Sequence, residues 1–125
     1  MATVLTDTGK EQSIAAINGD TYTTPLHVGW GTGAGTAGET NTTLFIEASE
    51  SRVSGTNTKE TTNVSNDTYQ VVATITADGT KTITNAGLFD AVTTGNLFVK
   101  GDFTGIALNS GDSIQFTIKI VQTSA

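Results

Sequence analysis

The sequence predicts an all-β protein with one short N-terminal helix, folded as an antiparallel β-sandwich. Composition supplies two reasons: the 125 residues include 26 threonines and 14 glycines but only one proline. Threonine favours pleated, half-exposed strands, and glycine supplies turns. The third reason is order, because short alternating segments separated by turn residues follow one another from Arg52 onward. Such spacing is typical of sandwiches and barrels.

The segment TDTGKEQSIAAINGD carries the strongest helix signals. Thr8 is the predicted N-cap, Glu11 stands three residues later as in a capping box, and Gly19 is placed to end the helix. The predicted helix therefore covers residues 9–18. Two apolar side chains share one side of it: Ile14 and Ile17.

The chain divides into an N-terminal arm, residues 1–8, and a single β-sandwich domain, residues 9–125. One domain fits the length, and no linker-like composition interrupts it. Residues 1–8 are assigned to an arm because the apolar pair in ATVLTD has no evident partner before the helix.

Three segments alternate apolar and polar residues, as a strand with one buried face does: residues 26–30, 69–75 and 114–120. The pair Asp78-Gly79 follows the second of these segments, precedes TKTITNAGLFDA and predicts a two-residue hairpin. The segment NTTLFIEASES fits either a short helix or a strand.

A glycine motif follows the first alternating segment, with Gly33, Gly35 and Gly38 spaced as G-x-G-x-x-G. A dinucleotide fingerprint needs these glycines between a strand and a helix in a βαβ unit, because the pyrophosphate lies at the helix N-terminus. The residues after Gly38 make a poor helix, and no second parallel βα unit follows. We predict a surface loop that turns a corner at one end of the sandwich.

Catalytic constellations are missing from the sequence. His27 is the one histidine, no G-x-S-x-G motif is present, and there is no cysteine to act as a nucleophile or a zinc ligand. Glu47 and Glu50 lie three residues apart. A solvated face explains them better than a glycosidase pair does, because one tryptophan and two tyrosines predict no aromatic cleft. We predict a protein that is not an enzyme, without cofactor, metal or small-molecule substrate.

The formal net charge is −6 and the pI is about 4.4. An acidic surface repels phosphate backbones and anionic membranes, so direct nucleic-acid or membrane binding is not expected. The N-terminus MATVLTDTGKEQ lacks an apolar export signal, and no apolar run reaches 18 residues. Synthesis in the cytoplasm is therefore predicted.

The segment ITNAGLFDAVTTGNLFVKGDF is apolar, with few charges and imperfect alternation. A strand covered on both faces has this pattern. One face would contact the chain's own core, and the other either a neighbouring element of the chain or another subunit.

Long stretches of the chain resemble small structural proteins of tailed-bacteriophage virions, of the head decoration or cement type. The shared pattern contains a G-x-G-T-G loop, a T-x-L-x-x-E segment, a basic residue opening the β region and the sequence I-x-E-A-G-L-F-D-A. Its most specific element here is AGLFDA, Ala86 to Ala91, and the likeness spans residues 9–121. Asn85 departs from the pattern, which has glutamate at that position.

The resemblance implies a jelly-roll-like sandwich, frequently a homotrimer, without cofactor. The first hypothesis is a capsid decoration protein on the capsid exterior of the virion, synthesised in the host cytoplasm. It would bind the major capsid protein and stabilise the expanded head by bridging capsid subunits, since a ligand of one state stabilises that state. Candidate interface residues are two in the arm, laid on a neighbour, and three facing the trimer axis: Val4, Leu5, Trp30, Leu88 and Phe89.

The alternative is a tail-fibre or baseplate module that binds host-surface glycan. The aromatic candidates for such a site are Trp30, Tyr22 and Tyr69. A glycan-binding protein should present Trp30 in a groove, whereas a cement protein should bury it.

Overall fold

The computed structural model describes residues 2–124. The termini of the predicted arm and domain, Met1 and Ala125, lie outside the described residues. The elements in chain order are β1 (Thr3–Leu5), α1 (Asp7–Asn18), β2 (His27–Gly31), β3 (Val53–Ser54), β4 (Thr56–Glu60), β5 (Thr68–Thr76), β6 (Lys81–Phe89), β7 (Leu97–Leu108) and β8 (Ser113–Val121).

The strands form two antiparallel sheets. The large sheet has the order β1-β7-β6-β2-β3, and the small sheet has the order β4-β5-β8. Alternate residues of both sheets contribute to one main core, which confirms the predicted β-sandwich. Its largest fully buried members are Trp30, Ile75, Ile83, Leu88, Val28 and Val71.

The Asp78-Gly79 turn does not make the predicted hairpin. β5 lies between β4 and β8, and β6 lies between β2 and β7, so the turn carries the chain from the small sheet to the large one. A turn signal specifies that the chain reverses, but the sheet that the next strand joins depends on its long-range partners.

The helix begins two residues earlier than predicted, and Thr6 rather than Thr8 is its N-cap. The Thr6 hydroxyl accepts a bond from the Gly9 amide at 3.0 Å and donates to the Leu97 carbonyl at 2.5 Å. Thr6 is fully buried, so the cap also attaches the helix to β7. A Cβ at Gly9 would lie 2.6 Å from the Phe98 carbonyl oxygen, so this close approach requires glycine.

The other end of the helix follows the prediction, since Gly19 adopts a left-handed φ of 84° and its amide bonds back to the last turn. The apolar side of the helix is not buried, however. Ile14 is 63% exposed and Ile17 is 79% exposed. The helix is held at its first turn, and its apolar side chains remain at the surface.

The segment predicted to be an arm is the edge strand β1 of the large sheet. Val4 lies opposite Lys100 and Leu5 opposite Val99, in β7 of the same chain. Both residues are half-buried, and Leu5 packs against the main core. They therefore have partners within the chain, and their contact with a neighbouring molecule stays a prediction.

We expect Thr6→Ala to lower the free energy of unfolding by about 1–2 kcal/mol, because it removes the helix cap and the bond to a buried carbonyl. Urea denaturation measures the change. Thr8→Ala, within the first helical turn, is the matched control and should change stability by less than about 0.5 kcal/mol. An equal loss in both variants would contradict the assignment of the cap.

Candidate functional site

The outer face of the large sheet is covered by residues 32–52, here called the covering loop. Leu44 of this loop forms a second apolar cluster with Phe89 and Leu97. The segment ITNAGLFDAVTTGNLFVKGDF was predicted to be covered on both faces. The covering loop, an element of the same chain, covers its outer face. The loop contains NTTLFIEASES, which is neither helix nor strand apart from one bridge between Gly31 and Glu47.

Asn85 of β6 holds the middle of the covering loop. Its Nδ2 donates to the Phe45 carbonyl at 3.1 Å, and its Oδ1 accepts from the Phe45 amide at 2.9 Å. The side chain is fully buried. An ionised glutamate only accepts hydrogen bonds, so it cannot make this two-way contact. The departure from the phage pattern at this position therefore has a structural role here.

Lys100 of β7 is a second buried polar contact to the loop. Its ammonium lies 3.1 Å from the centre of the Phe45 ring and donates to the Thr43 carbonyl at 2.8 Å. Burial lowers the pKa of Lys100, opposed by the Asp102 carboxylate. The ammonium is used inside the fold and is not offered to a ligand.

Arg52 closes the end of the covering loop. Its guanidinium makes a two-point contact with Glu47, at 2.7 and 2.9 Å, and lies 3.4 Å from the centre of the Phe89 ring. It also donates to the carbonyls of Ala91 and Thr94 in the β6–β7 connection. Two-point arginine–carboxylate pairs are among the stronger polar contacts in proteins. Glu47 is therefore a structural ion-pair partner.

Glu50 is not on a solvated face, because its side chain is only 7% exposed. It accepts a hydrogen bond from Trp30 Nε1 at 2.8 Å and pairs with the Lys81 ammonium. Burial raises the pKa of Glu50, but the bonds from Lys81 and Trp30 outweigh it and lower the pKa to about 2. This carboxylate is fixed in its ionised form and is unsuited to act as a general acid near neutral pH.

Two glycines of the motif, Gly33 and Gly35, pack against Phe45. A Cβ at Gly33 would lie 2.8 Å from the Phe45 carbonyl carbon, and one at Gly35 would lie 2.7 Å from its ring. Gly33 is buried, and no helix follows Gly38. These glycines serve close packing, and the geometry lacks the helix N-terminus on which a phosphate would lie.

The three residues predicted to face a trimer axis are buried inside the single chain: Trp30, Leu88 and Phe89 are at most 1% exposed. Leu88 and Trp30 belong to the main core, and Phe89 lies beneath the covering loop. In this fold they offer no surface to another molecule. The physical reason is that both faces of β6 are covered by the chain.

Residues 2–124 contain no group of three or more histidine, aspartate or glutamate residues placed to hold a metal. His27 is half-buried in β2, and its Nδ1 is buried without a hydrogen-bond partner within that range. No helix of the described range is long and apolar enough to cross a membrane.

A groove of about 320 Å³ opens between α1 and one end of the small sheet. Tyr22, 48% exposed, and Tyr69, half-buried, both line it, and Ile17 lies on the helix side. The Tyr69 hydroxyl donates to the Pro25 carbonyl at 2.6 Å, which fixes that ring. Polar side chains also line the groove: Gln12, Lys59, Asn66, Asp67 and Gln122.

Asp67 shapes the polar side of the groove. Backbone amides of Val64, Thr62 and Asn63 donate to its carboxylate and hold its pKa well below its usual range. The groove thus unites two of the three aromatic candidates found in the sequence. Ile17 was not expected to line this groove, because the apolar side of a helix ordinarily faces the core.

These contacts define a class of protein: a β-sandwich whose charged side chains hold its own loops in place, as expected of a structural module. A family model described as podophage GP4 fiber I protein gp80 matches residues 5–124. The chain belongs to this family and is a structural protein of a phage virion. The resemblance is thus confirmed at that level, but the family described is a fibre protein, not a head decoration protein. No curated protein and no solved structure matches the chain.

Stability should fall as the pH decreases from about 4.5 to about 2, because the pKa of Glu50 is near 4.5 when unfolded and about 2 when folded. A lowered native pKa stabilises the protein above the unfolded value, and protonation removes that stabilisation, here about 3 kcal/mol. Urea denaturation across this pH range measures it.

Glu50→Gln should reduce this part of the pH dependence and leave the share that Asp67 contributes, whereas Glu11→Gln, a change at an exposed helix residue, should preserve all of it. Equal pH dependence in wild type and Glu50→Gln would contradict the assigned ion pair.

Proposed function

We propose that this protein is a structural module of a phage tail fibre, where it binds neighbouring virion proteins and acts by binding rather than by catalysis. The observation that carries the proposal is the family match over residues 5–124. A match of that extent includes the covering loop, the groove and every strand of the sandwich except most of β1.

The side-chain chemistry of the sandwich supports a structural role. The carboxylates first considered as a catalytic pair are each bound to a cation of the same chain, Glu47 to Arg52 and Glu50 to Lys81. Trp30 is buried, as expected of a cement protein and not of a glycan site built on Trp30, but the family description favours the fibre. Contacts with other virion proteins are then left to the surface, where strand edges and the groove are exposed.

Fractionated virions distinguish the two locations. We expect the protein in tail and fibre fractions and not in tailless heads, with gold-labelled antibody binding at the tail. The major capsid protein, quantified by mass spectrometry in the same fractions, controls for contamination. Recovery in stoichiometric amounts with expanded, tailless heads would overturn the fibre proposal and restore the head decoration hypothesis.

A second function, binding of host-surface glycan by the groove, is favoured by one specific observation. Tyr22 and Tyr69 lie in the same groove, beside amide and charged side chains. Saccharides present both apolar C–H faces and hydroxyl groups, so an aromatic surface bordered by polar groups matches their chemistry.

Tyr22→Ala should weaken binding of the purified protein to host cells by roughly three- to tenfold, because it removes the exposed aromatic surface. Binding is measured by sedimentation of cells with labelled protein. Val92→Ala shortens an exposed apolar side chain outside the groove and should bind like wild type. Equal binding by both variants would remove the glycan function and leave the structural role intact.

A further inference from the structure

The edge strands of the two sheets differ in how well they are protected against pairing with another chain. In the described part of the chain, the edges are β1, β3, β4 and β8. β1 has three residues, β3 has two, and β4 has five, including Lys59 and Glu60. Short or charged edges discourage pairing with another chain.

β8 is the least protected of these edges. It pairs with β5 over nine consecutive residues, from Ser113 to Val121, without a register shift. It contains no proline and one charged residue, Lys119. A long, regular and nearly uncharged edge presents unpaired backbone groups to another strand.

The side chains of β8 that point into the sandwich are incompletely covered. They are only half-buried, while Val71 and Ile75 on the adjacent β5 are at most 1% exposed. The open surface continues onto β7. There the ring centre of Phe103 lies 6.4 Å from that of Phe116, and Ile106 is 40% exposed. The half-buried residues of β8 are Ile114, Phe116, Ile118 and Ile120.

We propose that a second copy of this chain occupies the edge, with β8 paired antiparallel to the partner's β8 about Thr117. In this register residue 116 faces 118 of the other copy, and 114 faces 120, so every inward apolar side chain meets another. On the exposed side Lys119 faces Gln115, and no like charges are opposed. The strand is thus complementary to itself in this register.

The absence of acidic side chains along this flank favours a second copy as its occupant. The chain carries a net charge of −6, so two copies repel each other over most approaches. Residues 103–108 and 113–121 contain no acidic side chain. This flank is therefore a surface on which two acidic copies approach without opposed carboxylates.

The pairing joins the two small sheets into one continuous six-stranded sheet across a two-fold axis. It is independent of whether the protein is located in a fibre or a head. A two-fold pair also differs from the homotrimer implied by the phage resemblance, so the oligomeric state discriminates between them.

Cysteine cross-linking tests the register directly, because the natural chain contains no cysteine. Opposed residues of antiparallel strands have Cα atoms about 4.5–5.5 Å apart, within disulfide range. Thr117→Cys should therefore form a disulfide-linked dimer under mild oxidation. Ser113→Cys, on the same exposed side of β8, is the matched control and should remain monomeric, because it faces residue 121 of the partner.

A charge reversal tests the same register without a covalent bond. Gln115→Lys would oppose Lys119 in two symmetric pairs and should raise the dimer Kd roughly two- to thirtyfold. Adding Lys119→Glu should restore association. Thr58→Lys adds the same charge on the far edge of the small sheet and should leave the Kd unchanged; sedimentation equilibrium measures all four proteins.

A monomer at high concentration, a stable trimer, or equal cross-linking at positions 113 and 117 would overturn the proposal. Thr117→Cys and Gln115→Lys change exposed side chains, and circular dichroism of each variant verifies folding before the result is interpreted.

Discussion

The structure depends on the covering loop, which allows β6 to be buried on both faces within one chain. Without residues 32–52, Phe89 and Leu97 would face solvent on the outer side of the large sheet. Three buried polar side chains hold the loop in place: Asn85, Lys100 and Arg52. Each satisfies backbone carbonyls of irregular segments that have no regular strand partner, as buried backbone groups require. Packing and polar contacts therefore act together at this face.

This constraint also determines where function can lie. Buried side chains of both kinds join the loop to the sheet, among them the charged Lys100 and Arg52 and the apolar Phe89. Two surfaces that stay open to other molecules are the groove beside the helix and the edge at β8. A virion protein that works by contact needs surfaces of this kind, because strand edges and shallow grooves bind other chains without chemical change.

The sequence predicted the elements with strict periodicity and missed those determined by distant contacts. Alternation at Val71, Ala73 and Ile75 correctly indicated a buried face, and Gly19 correctly ended the helix. Thr8 competed with Thr6 as a cap, and only the distant Leu97 carbonyl decides between them. Likewise, the residues around Asp78-Gly79 do not determine that β6 joins a different sheet from β5, because the strands that pair with β6 are distant in the chain.

Another part of the pattern shared with phage proteins, the T-x-L-x-x-E segment and the basic residue after it, also has a structural role. Its leucine, glutamate and basic residue correspond to Leu44, Glu47 and Arg52, which close the covering loop. Hydrogen exchange, followed by mass spectrometry over a range of protein concentrations, distinguishes a loop held by its own chain from one held by another subunit. We expect residues 32–52 to be equally protected at all concentrations, and residues 113–121 to gain protection as the concentration rises. Protection of residues 32–52 that appeared only at high concentration would show that another subunit, not the chain itself, covers the sheet.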